Sequence, residues 1–348
     1  MIFQMPVIKI KNYRWIIVVL LFFATTINYI DRQIIGLLKP ILEAEFNWSE
    51  TDFAHIVMAF TAAYAIGLLV IGRLIDKLGT RLGYSLIICA WSIAGMLHAV
   101  SRSALHFALA RFGLGLGESG NFPAGVKAIS EWFPKKERAL ATGIFNSGTS
   151  IGVVLALLIV PWILKYYNWH EVFLITGAVG FIWLIFWLLL YDIPSRQKRL
   201  TAEEYEYIIS DTRNEAKGRD NDNKTKIKWS RLFTFPQTWA LITGKGLIDP
   251  IFWFFLFWLP SYFSSAYEID LTKPSIELII IYTSTTIGSI LGGYFSSFLI
   301  MKGWPVIKAR KTALFIFAVL ELSIILAQYT TAAWMAVGII SLAVAVHQ

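Results

Sequence analysis

The chain has 348 residues, of which 56% are hydrophobic, 15% aromatic and 16% charged. Soluble domains hold roughly 45–50% apolar and 25% charged residues, so this composition excludes an ordinary soluble protein and indicates an integral membrane one. The formal charge of +8 does not indicate nucleic acid, because the basic residues sit in the loops between apolar runs and form no patch interleaved with aromatics.

Apolar runs able to cross ~30 Å of hydrocarbon as helix occur near 15–38, 53–72, 82–100, 104–126, 139–163, 171–192, 238–263, 275–300, 312–328 and 332–346. They predict an all-α protein of about ten helices, the last one short. The basic flank Lys9, Lys11 and Arg14 imitates a signal peptide, but the run after it is too long and no small-residue cleavage site follows. About 24 of the 31 Lys and Arg fall on the side holding the N-terminus, which predicts a cytoplasmic N-terminus. Cys89, the one cysteine, lies in an apolar run, so no disulfide or thiolate metal site is expected. The five histidines are scattered, and neither a metal nor a cofactor is expected.

The first run contains Asp31 and Arg32 side by side. Each ionised group costs about +2.5 to +3.5 kcal/mol at a helix centre on the insertion scale, so the doublet needs partners inside the protein or a watery cavity. Between the second and third runs stands Gly72-Arg73-Leu74-Ile75-Asp76-Lys77-Leu78-Gly79-Thr80-Arg81. Gly72 there permits close helix approach, and Asp76 can latch one face by meeting a neighbouring helix end or arginine. Gly72, Asp76 and Arg81 are the candidate gating residues.

The fourth run reads Arg111-Phe112-Gly113-Leu114-Gly115-Leu116-Gly117-Glu118. Its glycines leave room for another backbone and for the arginine. The run also fits a dinucleotide fingerprint literally, yet no strand precedes it, which excludes that reading.

Residues 193–237 interrupt the apolar pattern with a charged segment, and divide the chain into a membrane half at 1–192 and another at 238–348. A short surface helix is expected at 201–211 and a flexible stretch at 218–228, the whole behaving as a solvated linker. The halves echo one another, since Gly67 and Gly72 match Gly288 and Gly293 at the same spacing. In the seventh run Lys245 and Asp249 are spaced for self-pairing, and Pro250 marks a possible hinge.

The loop beginning at Gly72 and the arginine-glycine run at Arg111 resemble the two signatures of the major facilitator superfamily. With Ile27-Asn28-Tyr29-Ile30-Asp31-Arg32, Asn121-Phe122-Pro123-Ala124-Gly125, Glu131-Trp132-Phe133-Pro134-Lys135-Lys136-Glu137-Arg138 and Trp258-Leu259-Pro260, the chain resembles the anion:cation symporter family, and within it the bacterial hexuronate transporters. The resemblance implies a bundle of two six-helix halves in a bacterial inner membrane. It also implies proton-coupled uptake of a sugar acid by alternating access, with a monomer expected. Family members resemble twelve-helix proteins, whereas this chain stops at His347-Gln348. A truncation to about ten spans is therefore expected, and a non-transporting sensor or inactive fragment is the rival reading. No nucleophile with a base supports an enzyme.

If the first helix leaves the membrane near Leu38 and the fourth enters near Ala104, Arg32 and Arg111 share a depth of roughly 9–10 Å, with Tyr29 and Tyr64 near it. Two guanidinium groups at one level suit a carboxylate, which each can bind bidentately. Arg32 and Arg111 are thus the expected anion ligands, and Asn28, Tyr29, Tyr64, Asn146, Ser147 and Thr149 are candidates for the sugar hydroxyls. Asp31 and Glu118 are the expected proton-coupling groups, as the resemblance also implies. In this reading a proton on Asp31 frees Arg32 for substrate.

Overall fold

The computed structural model describes residues 9–218 and 229–347. The polar run at 219–228, expected to be flexible, lies outside the described residues. The elements are α1 (Tyr13–Phe46), α2 (Glu50–Leu78), α3 (Thr80–Leu97), α4 (Ala104–Glu118), α5 (Asn121–Trp132), α6 (Lys135–Leu164), α7 (Trp169–Leu190) and α8 (Ala202–Gly218). They continue with α9 (Trp229–Leu232), α10 (Pro236–Phe257), α11 (Leu259–Tyr267), α12 (Ile276–Met301), α13 (Val306–Glu321) and α14 (Ala333–His347). Short 3-10 turns, His98–Val100 and Leu322–Tyr329, extend α3 and α13.

Eight of these helical stretches are long and apolar enough to cross a membrane. The two remaining expected spans are α14, which is shorter, and the fourth run, which is divided. That run is interrupted at Ser119 and Gly120, between α4 and α5. Pro123 explains the interruption, since it has no N–H for the Ser119 carbonyl and its ring crowds that carbonyl. In the seventh run α10 continues through Pro250, and the break falls at Trp258, just ahead of Pro260 in α11. The hinge expected at Pro250 is therefore displaced to Pro260.

Local signals set the helix starts. Ser49 and Asp52 form a reciprocal capping box on α2, and Asn168 and Glu171 do the same on α7. At the end of α1, Asn47 takes a left-handed φ of 52° and the Trp48 amide returns to the Glu43 carbonyl at 3.2 Å. The helix thus runs past Leu38, with Arg32 about 21 Å from its last residue.

In the first bundle α1 packs on α6 and α7, α2 on α4, and α3 on α4 and α7; in the second, α12, α13 and α14 pack on one another. The α1–α6 crossing is close because small residues line it. A Cβ on Gly148 would lie 2.6 Å from the Phe22 carbonyl oxygen, and one on Gly152 2.5 Å from that of Thr26. Polar contacts also tie the first bundle: Trp183 donates to the Leu20 carbonyl at 2.8 Å, and Asn121 donates to Thr25 Oγ1 at 3.1 Å.

The segment after α7 departs from the expected solvated linker. Helix α8 is longer than the expected 201–211 and docks on the start of α1. Glu204 accepts from the Tyr13 amide at 2.9 Å and the Arg14 amide at 3.2 Å, and pairs with the Arg14 guanidinium at 2.9 Å. The carboxylate thereby caps the positive end of α1. Arg14 also holds Glu137 of α6 at 2.9 Å, and Tyr207 of α8 donates to Glu137 at 2.7 Å.

Losing this cap and its charge-assisted contacts is worth about 2 kcal/mol. Glu204→Ala should accordingly lower the thermal midpoint of the purified protein and speed tryptic cleavage at Arg196 to Arg199. Unchanged melting and cleavage would show that α8 is not held by Glu204.

Candidate functional site

Arg32 sits in the middle of α1 with 1% of its side chain exposed, against Glu118 at the end of α4 with 0%. Its Nη2 lies 2.8 Å and its Nε 2.9 Å from Glu118 Oε2, and Nη2 also donates to Asn28 Oδ1 at 3.2 Å. The guanidinium carbon faces the rings of Tyr29, Phe60, Tyr64 and Trp253 at 4.6, 5.3, 4.8 and 5.5 Å. Four π faces around one desolvated cation replace part of its lost hydration. Trp253 comes from α10, so the second bundle contributes directly to this cage.

The pairing differs from the expectation that Asp31 governs Arg32. Successive residues point to different faces of a helix, so Asp31 does not pair with Arg32. Asp31 lies within electrostatic reach of Glu118 and Arg111 and near Thr176, with no ion pair to either charge, and Glu118 takes Arg32. Neither oxygen of Asp31 has a hydrogen-bond partner among the described residues, nor has any nitrogen of the Arg111 side chain, which is fully buried. Arg111 stands 5.7 Å from the Phe60 ring, the same ring that faces Arg32. Asp31, Arg32, Arg111 and Glu118 thus form one electrostatic cluster with a single hydrogen-bonded ion pair in it. Glu118 Oε1 and Asn28 Nδ2 also lack partners among the described residues. Buried polar groups left in this way are costly, and a buried ion pair is weak evidence for stability.

Beside the cluster lies a cavity of about 850 Å³. Asn146, Ser147, Thr149 and Ser150 of α6 form one wall, and Tyr282, Thr285, Thr286 and Ser289 of α12 another, with Phe252, Phe255 and Lys245 of α10 between them. Tyr29 also lines it, with its ring interposed between the cavity and Arg32. Of the expected anion and sugar ligands, Tyr29, Asn146, Ser147 and Thr149 reach the cavity. Arg32, Arg111, Asn28 and Tyr64 do not line it, and the first is held by Glu118.

The cavity is closed at the end remote from the N-terminus. A Cβ on Gly36 of α1 would lie 2.9 Å from the Phe257 carbonyl oxygen of α10, and Phe53 packs edge-on to Trp258 at 5.4 Å. Lys39, fully buried, bonds Glu43 at 2.8 Å, Glu50 at 2.7 Å and Ser261 of α11 at 3.1 Å. From that seal the cavity extends along α6, α10 and α12 toward the N-terminal face.

The three expected gating residues lie at the N-terminal face. Asp76 pairs with Lys127 at 2.8 Å, and Arg81 holds Asp192 at 3.1 Å and the Leu188 carbonyl at 2.7 Å. Gly72 does not mediate the close approach expected of it, since a Cβ there would meet no atom within 4 Å. Gly67, one stretch earlier, does so by lying against Ser119.

Residues 21–347 match the family model described as Major Facilitator Superfamily. The chain belongs to the Major Facilitator Superfamily. This superfamily member is 35% identical over 286 residues to a galacturonate transporter of Dickeya chrysanthemi, a match covering 82% of each chain. It has the same identity to a hexuronate transporter of Escherichia coli K12, covering 82% of this chain and 66% of that protein. Its fold is similar to the crystal structure of a bacterial homolog of the human lysosomal transporter Spinster in an inward-facing, unoccupied conformation. The TM-score is 0.73 at 21% identity, over 97% of this chain and 73% of the other. The chain is thus a multi-pass membrane protein of a transporter superfamily.

Sequence reasoning missed Phe60 and Trp253 as members of the cage. Both stand in apolar runs where an aromatic is indistinguishable from a lipid-facing residue; the available signal was that a buried guanidinium needs ring faces.

Removing one partner of a buried pair leaves the other charge uncompensated, at a cost of about 3–5 kcal/mol. In this superfamily member Arg32→Met should be strongly destabilising, and Arg32→Met with Glu118→Met should recover most of the loss. Thermal unfolding of the single and double variants measures this, and simply additive losses would show that the two side chains are not coupled.

Proposed function

We propose that this chain carries a sugar acid, most directly a hexuronate, into the cell together with a proton, alternating access between the two faces of a bacterial inner membrane as a monomer. The observation that carries this reading is the buried Arg32–Glu118 pair next to a cavity whose lining, Tyr29 included, carries hydroxyl and amide groups. The concentration of basic residues at the N-terminal face supports a cytoplasmic N-terminus. The conformation then has its periplasmic end closed and its cavity extending toward the cytoplasm.

In the empty carrier Glu118 occupies Arg32. Protonating Glu118 removes its charge and with it most of its hold on the guanidinium, which then binds the carboxylate of the cargo through two parallel N–H donors. Tyr29 lies between the two and must move aside for that contact. The hydroxyls and amide along α6 and α12 supply donors and acceptors for the polyol face of the sugar, which neutral groups bind without a further desolvated charge. Asp31 and Arg111 add a second carboxyl and a second guanidinium to the cluster, so the electrostatic cost of crossing the membrane depends on whether Glu118 is ionised. Proton and anion thereby move together, since neither is held well without the other. The groups assigned to gating, Gly72, Asp76 and Arg81, close the cytoplasmic end in the opposite state, the two halves rocking about the cluster.

The test is uptake of radiolabelled D-galacturonate into proteoliposomes with an acidic exterior. The unaltered chain should accumulate it above equilibrium until a protonophore collapses the gradient. Glu118→Gln and Asp31→Asn should retain exchange of internal for external galacturonate but lose accumulation. Full gradient-driven accumulation by both variants would overturn the coupling assignment.

A further inference from the structure

The pair Lys245–Asp249 on α10 takes no part in the mechanism above. Lys245 Nζ lies 2.9 Å from Asp249 Oδ1 one helical turn away, with 72% of the lysine side chain exposed and 45% of the aspartate. A pair so exposed is worth only a few tenths of a kcal/mol, so α10 does not depend on it and the lysine can change partner at little cost. Lys245 lines the cavity, and Asp249 does not. The other lining side chains are hydroxyl, amide, aromatic or aliphatic, so among the described residues Lys245 is the one formally charged group on the cavity wall.

Position gives the lysine a definite place on the path. Lys245 follows the start of α10 at Pro236 by about 14 Å, and Asn146 follows the start of α6 at Lys135 by about 17 Å, so the two line the cavity at similar distances from the starts of their helices. Phe252, Phe255 and Leu256 line the deeper part of the same helix, toward the sealed end. An anion in the cavity on the side of the N-terminal face therefore meets Lys245, whereas Arg32 is behind Tyr29 and engaged by Glu118.

We propose that Lys245 is a carboxylate-binding residue of the cavity, which exchanges Asp249 for the carboxylate of a sugar acid and holds it while Arg32 remains paired with Glu118. The proposal rests on the transport reading and deepens it by naming a second cationic station. A flexible ammonium suits that role, because it is a point charge that donates equally to a carboxylate oxygen or an adjacent hydroxyl and imposes no planar geometry. Asp249 acts as the competing anion that keeps the station from trapping its cargo.

Binding of radiolabelled D-galacturonate to the purified full chain, by scintillation proximity, tests this. Lys245→Gln should raise the Kd about tenfold, the size of one charge-assisted hydrogen bond. Lys245→Arg should stay within about threefold of the unaltered chain. Asp249→Asn should lower the Kd, since it removes the competitor. A merely helix-stabilising pair would fail alike whichever partner is removed, so equal weakening by Lys245→Gln and Asp249→Asn overturns the proposal. An unchanged Kd in Lys245→Gln overturns it while leaving the transport reading intact. An unaltered chain that binds no galacturonate overturns that reading and the proposal with it.

Discussion

A guanidinium and a carboxylate in contact at 1% and 0% exposure constrain everything around them. Neither ion tolerates hydrocarbon alone, and a buried pair seldom stabilises a fold as well as apolar residues of the same volume. The chain surrounds the pair with compensation: an amide from Asn28, the faces of four aromatic rings, and the opposite charges of Asp31 and Arg111. Because Trp253 lies on α10, the cage spans both bundles. Displacement of α10 against α1 necessarily changes the environment of Arg32. A charge event at the pair and a movement between the bundles are therefore coupled physically, which is the requirement for a carrier that links ion and cargo.

The seal at the far end belongs to the same logic. Gly36, Phe53 and Lys39 of the first bundle meet Phe257, Trp258 and Ser261 around the break between α10 and α11. A helix broken by Pro260 can bend there without disturbing the rest of α10, where Trp253 and Lys245 sit. The small-residue echo between the bundles has matching environments as well. Gly67 and Gly288 are both pressed against another chain segment, on Ser119 and the Ala345 carbonyl, whereas Gly72 and Gly293 both face open space. Equivalent positions in the two bundles thus carry equivalent packing.

Much of this was legible in the residues. Run length and charge placement identify the spans, since hydrocarbon admits few other structures, and the intramembrane charges Asp31, Arg32, Arg111 and Glu118 stand out by cost alone. Their partnering was not legible, because adjacent residues on a helix diverge and only the three-dimensional placement of Glu118, at the end of α4, decides that it rather than Asp31 receives Arg32. The docking of α8 was hidden for a different reason: a charged amphipathic segment reads as solvated until a buried helix start needs a cap, which Glu204 provides. The open surroundings of Gly72 were not legible either, since a small residue at a helix end reads the same whether or not another backbone lies against it.

The central claim is that Glu118 must take up a proton for Arg32 to accept an anion. Calorimetric titration of D-galacturonate into the purified chain, repeated in buffers of different ionisation enthalpy, counts the protons bound with each anion. The predicted result is close to one proton per galacturonate in the unaltered chain and none in Glu118→Gln. Tight galacturonate binding with no proton uptake by the unaltered chain would contradict it.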